Sequence, residues 1–339
     1  MSKIYDAVSL GEMMLRLSPP GKLRLSSSET FEKQAGGSEF NVVAGISNLG
    51  LSTALITRIP EHDITQFIVN EVRARGVSDD YIIYDKDKNS RLGIYYYESA
   101  ASPRKPSVVY DRRGTAINYI NIDEIPQEAY NSARLFHTSG ITLALSSNVR
   151  DTAIEMMKRF KKAGALLSFD INYRANLWSE DEARETIEQI LPMLDILFVS
   201  EETSRRMFRK TGELEDIMKS YCQDYGISII ATTERKVVSP TRHNFTSTIY
   251  SKDEDRFYRE ATYENIEVVD RIGSGDAYVS GVLFGLLKYN DLQKALEYGN
   301  AMAAIKNTIP GDVTTTNLKE IEGIIRSHQS SEAQSEMNR

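Results

Sequence analysis

Asp270-Arg271-Ile272-Gly273-Ser274-Gly275-Asp276-Ala277 follows a β-branched run, Ile266–Val269, and opens into an apolar helical pattern over Tyr278–Leu287. A strand that turns through glycines into a helix is the unit from which layered α/β folds are built. At such a junction the backbone N–H groups of Gly273, Ser274, Gly275 and Asp276 point outward from a helix N-terminus, where the dipole favours negative charge. Glycines keep side chains from blocking the close approach of a phosphate. Asp276, set just inside the turn, is placed to take a proton from an attacking hydroxyl while the N–H groups hold developing phosphoryl charge. An aspartate that only caps its helix in a glycine-rich turn has the same local sequence, so this octapeptide leaves both readings open.

Outward from the turn, short apolar strands alternate with helical patterns. Strands are predicted at Ile4–Leu10, which ends at Gly11-Glu12, and at Thr53–Ile59, Leu135–Thr138, Leu166–Asp170, Asp195–Val199 and Ile227–Thr232. Helices are predicted over Asn41–Leu49, closed by Gly50, over Ile64–Arg75, capped by Gly76, and over Asn148–Ala163, stopped by Gly164. Ser179-x-x-Glu182 reads as a capping box opening another helix. The last third is helical over Gly275–Leu287, Asp291–Thr308 and Asn317–Ser327. This alternation predicts a mainly parallel central sheet covered by helices.

Two segments break the pattern. Leu15–Lys33 is polar and irregular. Arg91–Tyr119 holds two β-rich runs, Leu92–Glu98 and Ser107–Arg112, around a Ser-Pro-Arg-Lys-Pro turn, and Tyr95, Tyr96, Tyr97 and Tyr110 crowd them. These insertions predict a small β lid over a site on the main domain. The expected organisation is one domain over 1–326, with lid segments at about 15–35 and 91–119, and a polar tail over 327–339 that reads as disordered.

The 339-residue chain is 41% hydrophobic and 26% charged with a net charge of −7. It carries no basic stripe of a nucleic-acid binder and no run near the roughly 18 apolar residues of a membrane span. The start lacks the apolar core of a signal peptide, and the single cysteine, Cys222, fits a reducing compartment, so a cytoplasmic location is expected. A Walker loop, a Gly-x-Gly-x-x-Gly after the first strand and a His-Glu-x-x-His are all missing, which removes the main support for P-loop NTPases, dehydrogenases and zinc peptidases. His137, Cys222 and Trp178 read as packing residues.

A second glycine motif, Gly36-Gly37-Ser38-Glu39-Phe40-Asn41, precedes a small-residue helix ending at Leu49-Gly50. Together and in this order, it and the Gly273–Asp276 turn resemble the PfkB or ribokinase family of carbohydrate kinases, and the likeness runs from Gly11-Glu12 to Gly311-Asp312. It implies a ribokinase-like three-layer sandwich with a small β lid. It also implies transfer of a phosphoryl group from ATP, as its Mg²⁺ complex, to a sugar hydroxyl, with Asp276 as base and Gly273, Ser274 and Gly275 as anion hole.

Within the family the pattern is most similar to the 2-keto-3-deoxygluconate kinases. That likeness implies a sugar-acid site of Gly37, Tyr95, Tyr110, Arg112, Arg174 and the late Asp312. Guanidinium forks suit a sugar carboxylate in a way that a neutral ketose does not exploit. For ATP it implies Ser200, Thr232 and Asn300 beside the Gly273–Gly275 turn. Two departures stand out: Ser200-Glu-Glu-Thr203 replaces the usual Asn-x-x-Glu, and Thr233-Glu-Arg-Lys236 replaces a glycine-rich turn. The metal ligands and the gluco or galacto preference stay open. Exposed lid edges imply a homo-oligomer, a dimer or higher, formed through the lid. A kinase for a neutral sugar and a non-catalytic sugar sensor are the competing readings.

Overall fold

The computed structural model describes residues 3–101, 103–239 and 241–330. In chain order its strands are β1 (Tyr5–Leu10), β2 (Met14–Ser18), β3 (Glu32–Gly36), β4 (Thr53–Pro60), β5 (Val77–Ser78), β6 (Ile82–Asp85), β7 (Gly93–Glu98), β8 (Ser107–Asp111), β9 (Ala133–Ser139) and β10 (Leu166–Asp170). They continue with β11 (Ile196–Phe198), β12 (Ile229–Ser239), β13 (Arg242–Ser251), β14 (Arg256–Tyr258) and β15 (Tyr263–Glu267).

The large sheet runs β14-β13-β12-β11-β10-β9-β1-β4-β5, with β6 beside β4 and β15 beside β13. From β12 through β4 the pairings are parallel, as the alternation predicts. Successive strand residues feed opposite cores because side chains alternate across a sheet. Phe136, Leu167 and Leu197 pack with Met156, Phe160, Ile187 and Tyr221 on one face. Leu135, Ile196 and Phe198 pack with Val42, Val279, Leu283 and Ala303 on the other. Helices over Ser147–Lys162, Glu180–Ile190 and Leu214–Tyr225 cover the first face; those over Ser38–Asn48, Ser274–Tyr289 and Leu292–Asn307 cover the second. The chain leaves β1 toward β4 on one side and returns through β9 and β10 on the other, so the sheet opens a crevice at the carboxyl ends of these strands.

A separate four-stranded sheet, β3-β2-β7-β8, stands over that crevice. Sequence pattern predicts β7 and β8 but reads 15–33 as irregular, whereas β2 and β3 frame that segment and pair antiparallel. The pattern is hidden because β2 buries Arg16 among its apolar residues, a charge whose partners come from far away in the chain.

Four further expectations need correction. The strand read as Ile227–Thr232 continues to Ser239 and forms an antiparallel hairpin with β13. Its outer half projects from the sheet with both faces largely exposed, so it has no apolar period to betray it. The strand expected at Ile266–Val269 lies earlier, at β15, and Val269 and Asp270 then donate their N–H groups to the Asn307 carbonyl. The Ser179 box is half formed: Ser179 accepts from the Glu182 N–H, but the Glu182 carboxylate pairs with Arg150. The final helix, Leu318–Gln329, reaches into the segment read as a disordered tail, where His328 stacks on Tyr263 with ring centroids 3.7 Å apart. The rest of that tail, 331–339, lies outside the described residues.

Candidate active site

The Ser274–Tyr289 helix starts where Gly273 adopts φ 79°, and a Cβ there would lie 1.9 Å from the Asp312 carbonyl oxygen. Only glycine lets the turn fold and press against that backbone. The Gly273 carbonyl accepts from the Ala277 N–H at 2.8 Å, which leaves the earlier first-turn N–H groups without intrahelical acceptors. The Ser274 N–H turns back to the Arg271 carbonyl at 3.3 Å, and the turn lines a cavity of about 460 Å³ beneath the small sheet. Gly37, Tyr95, Tyr110, Arg112, Arg174, Gly273, Ser274, Gly275, Asp276 and Asp312 all line it. Gly37, at φ 149°, brings its backbone against the Glu12 carbonyl, where a Cβ would approach to 2.4 Å.

Asp276 is anchored at both oxygens. Ser38 Oγ donates to Oδ1 and Asn41 Nδ2 to Oδ2, each at 2.7 Å. Ser38 Oγ accepts in turn from Asn172 Nδ2 at 2.9 Å, and the Asn172 N–H donates to Asp170 at 3.1 Å. Burial pushes the Asp276 pKa up, opposed by those two donors and by the Arg174 charge. Burial, then the Asp276 charge, raises Asp170 to about 7. Glu39, on the same helix as Asn41, is also driven upward by burial while Ser139 and Thr142 donate to it at 2.6 and 2.7 Å. A carboxylate whose proton affinity burial raises in this way accepts a proton more readily than a solvated aspartate.

At the far wall, Asp312 accepts from the Tyr95 hydroxyl and, at 2.7 Å, from Arg16 Nη1. Arg16 Nη2 donates to Asp270 at 2.6 Å, so one buried guanidinium joins both ends of the glycine-turn region. Asp270 also accepts from the Gly311 and Ile272 N–H groups. Behind it the fully buried Lys306 ammonium donates to the carbonyls of Asp270 and Ile309 at 3.1 and 2.9 Å. Burial pulls Lys306 down to about 8 against the pull of the Asp270 and Asp312 charges.

The two predicted arginines differ. Arg112 donates Nε at 2.9 Å and one terminal nitrogen to Glu12, whose other oxygen accepts from Thr115 at 2.6 Å. Arg174 is exposed, donates to the Tyr173 carbonyl at 3.2 Å, and pairs with no carboxylate among the described residues.

A second cavity of about 230 Å³ adjoins the first, and Asp170, Asn172, Arg174 and Gly275 wall both. Ser200 lines it, its hydroxyl accepting from the Thr203 N–H at 3.1 Å and so capping the next helix. Thr232 and Asn300 line neither cavity. Thr232 faces away because Ala231 and Thr233, its strand neighbours, take the cavity face. Asn300 is buried with its amide spent on Ser247 and Glu260, each at 2.6 Å. Among the described residues no group of three His, Cys, Asp or Glu is arranged to hold a metal. Sequence reading missed Ser38, Asp170, Asn172, Arg235 and Arg271 on these walls; for Arg271 the signal was its place inside the turn motif itself.

Residues 5–318 match the model of the pfkB family carbohydrate kinases. The chain is 33% identical over 321 residues to the 2-dehydro-3-deoxygalactonokinase of Haloferax volcanii, covering 95% of this chain and 96% of that one. It is 27% identical to the 2-dehydro-3-deoxygluconokinase of Bacillus subtilis, covering 91% of each. Among solved structures, the 2-dehydro-3-deoxygluconokinase of Thermotoga maritima superposes with a TM-score of 0.90 at 30% identity, over 96% of this chain and all of that one. A cleft with an anchored aspartate at a glycine-started helix is thus found on a chain whose whole length follows one family. The chain belongs to the pfkB family of carbohydrate kinases.

Proposed function

We propose that this kinase phosphorylates 2-keto-3-deoxygluconate at its 6-hydroxyl with MgATP. The observation that carries the sugar-acid reading is Arg174, a guanidinium on the wall of the Asp276 cavity with no carboxylate of its own. A neutral ketose offers that fork only uncharged hydroxyl and carbonyl oxygens, while a sugar carboxylate satisfies it in a bidentate, charge-assisted way. Arg112, already held by Glu12, has donors left to share. Tyr95, Tyr110 and Asp312 serve the sugar hydroxyls.

Asp276 takes the proton of the 6-hydroxyl as that oxygen attacks phosphorus, and Ser38 and Asn41 keep its carboxylate aimed. The first-turn N–H groups of Gly273, Ser274 and Gly275 hold charge on the moving phosphoryl group. The nucleotide takes the second cavity, beside Ser200 and Thr233. Mg²⁺ would supply positive charge to offset the phosphates, and Asp170, the carboxylate shared by both walls, is the side chain that would hold it. The small sheet acts as a lid that excludes water. Its exposed edge strand β8, with Val109 52% accessible, supports pairing with a second copy.

The test is coupled ADP release with 2-keto-3-deoxygluconate, its galacto epimer, fructose and ribose. The reading expects kcat/KM for an acidic sugar to exceed that of either neutral sugar by at least about tenfold. A preference for fructose or ribose would overturn the substrate while leaving the family intact.

A further inference from the structure

The β12–β13 hairpin and the glycine turn place two more arginines on the active cavity, Arg235 and Arg271. Among the described residues neither forms an ion pair. The nearby Asp270 is already committed to Arg16 and to the Gly311 and Ile272 N–H groups. The two guanidinium groups also sit near one another: after burial, the charge of Arg271 is what lowers the proton affinity of Arg235, and both lower that of the buried His243 beside them on β13. Both residues are exposed and line the same cavity, so together they offer an anion there two guanidinium groups without carboxylate partners among the described residues.

Which anion follows from the strand period. Ala231, Thr233 and Arg235 lie on one face of β12, since side chains alternate. Ala231 and Thr233 wall the second cavity, and Arg235, the next residue on that face, walls the first. Arg271 comes from the chain just before the glycine turn, and its charge is felt by Tyr97 of the small sheet. Gly275, part of both walls, lies at the junction. Both arginines line the first cavity together with Gly273, Ser274, Gly275 and Asp276, and Thr233 and Gly275, close to them in sequence, wall the second.

We propose that Arg235 and Arg271 form a clamp on the polyphosphate, gripping the phosphoryl group as it passes from nucleotide to sugar. This rests on the placement of nucleotide and sugar in the two cavities given above. No bond is made by the arginines. The phosphorus–oxygen bond to the departing nucleoside diphosphate breaks as the bond to the sugar oxygen forms, Asp276 keeps the proton, and the guanidinium groups offset charge on the non-bridging oxygens.

The experiment uses the full-length enzyme with Arg235→Gln, Arg271→Gln and the corresponding Lys variants, each checked for an unchanged thermal transition. With the best sugar from the panel, each Gln variant is expected to lose roughly 10²-fold or more in kcat, with KM for the sugar within about threefold, and Lys to restore only part. Calorimetry without sugar supplies a readout independent of turnover. A non-hydrolysable ATP analogue with Mg²⁺ should bind the Gln variants at least about tenfold more weakly, while AMP binds all forms alike. Normal kcat in folded Gln variants, or equal losses for AMP and the ATP analogue, would overturn the clamp. A wrong substrate assignment would show instead as a different ranking of sugars with the nucleotide results unchanged.

Discussion

Arg112 and Glu12 meet a hundred residues apart in sequence, the guanidinium at the end of β8 donating two of its nitrogens to a carboxylate at the end of β1. The pair ties the small sheet to the large one at the rim of the active cavity. Glu12 is 5% accessible, so removing Arg112 strands a buried charge. The two arginines proposed for the sugar acid therefore make different predictions.

Arg174→Ala removes an exposed fork that pairs with no carboxylate among the described residues. It is expected to raise KM for the sugar acid about tenfold to 150-fold, the effect of losing about 1.5–3 kcal/mol of charge-assisted hydrogen bonding. KM for ATP and any activity on fructose should change little, and the melting temperature should hold. Equal losses on acidic and neutral sugars would show that Arg174 shapes the cleft and does not read the carboxylate.

Arg112→Ala should lower both sugar affinity and stability, the latter by about 3 kcal/mol, as for a broken buried pair. Combining it with Glu12→Gln should recover part of the stability but not the affinity. Denaturant melts of the single and double variants separate the two effects; full additivity would deny the coupling.

Asp276→Asn keeps the size and hydrogen-bonding capacity at the helix start but loses the basic oxygen. The protein should fold and bind nucleotide, with turnover lower by about 10²–10⁴. Near-normal turnover in the folded variant would remove Asp276 as the base.

Lys306 links pH to the turn. Its folded pKa, about 8, is below the unfolded value near 10.4, so the unfolded chain binds the extra proton between these limits. Stability contributed by this group therefore rises with pH across that window, because below about pH 8 the fold must keep a charge that burial disfavours. Its carbonyl contacts, in contrast, weaken as the ammonium is lost beside Arg16, Asp270, Asp276 and Asp312. We expect kcat to fall above about pH 8 without matching loss of stability, and Lys306→Met to lack that limb of the profile. Parallel profiles for both proteins would assign the limb to another group.

If the small sheet closes over bound sugar, saturating sugar acid should slow hydrogen exchange in residues 93–98 and 107–111. Protection confined to the first turns of the Ser274–Tyr289 helix would argue for a fixed canopy. Val109→Lys on the exposed edge should shift sedimentation toward monomer if two copies pair there.

What the sequence determined by itself is local backbone chemistry. Gly273 and Gly37 are legible because each sits where a side chain cannot, and glycine, aspartate and helix start are within a few residues of one another. Apolar periods likewise announce the parallel strands, since burial on both faces leaves its mark in every residue. Partnerships across the chain were not legible. Arg16 reads as a surface charge on an irregular segment until folding brings Asp270 and Asp312 to it from 254 and 296 positions away. Thr232 is one residue from the cavity face, a matter that strand parity decides, and the Asn300 amide is taken up by Ser247 of β13 and by Glu260, which lies between β14 and β15. Backbone conformation is decided by neighbours in sequence. The partner and direction of a polar side chain are decided by which distant segments share its cavity, and tertiary structure alone sets that.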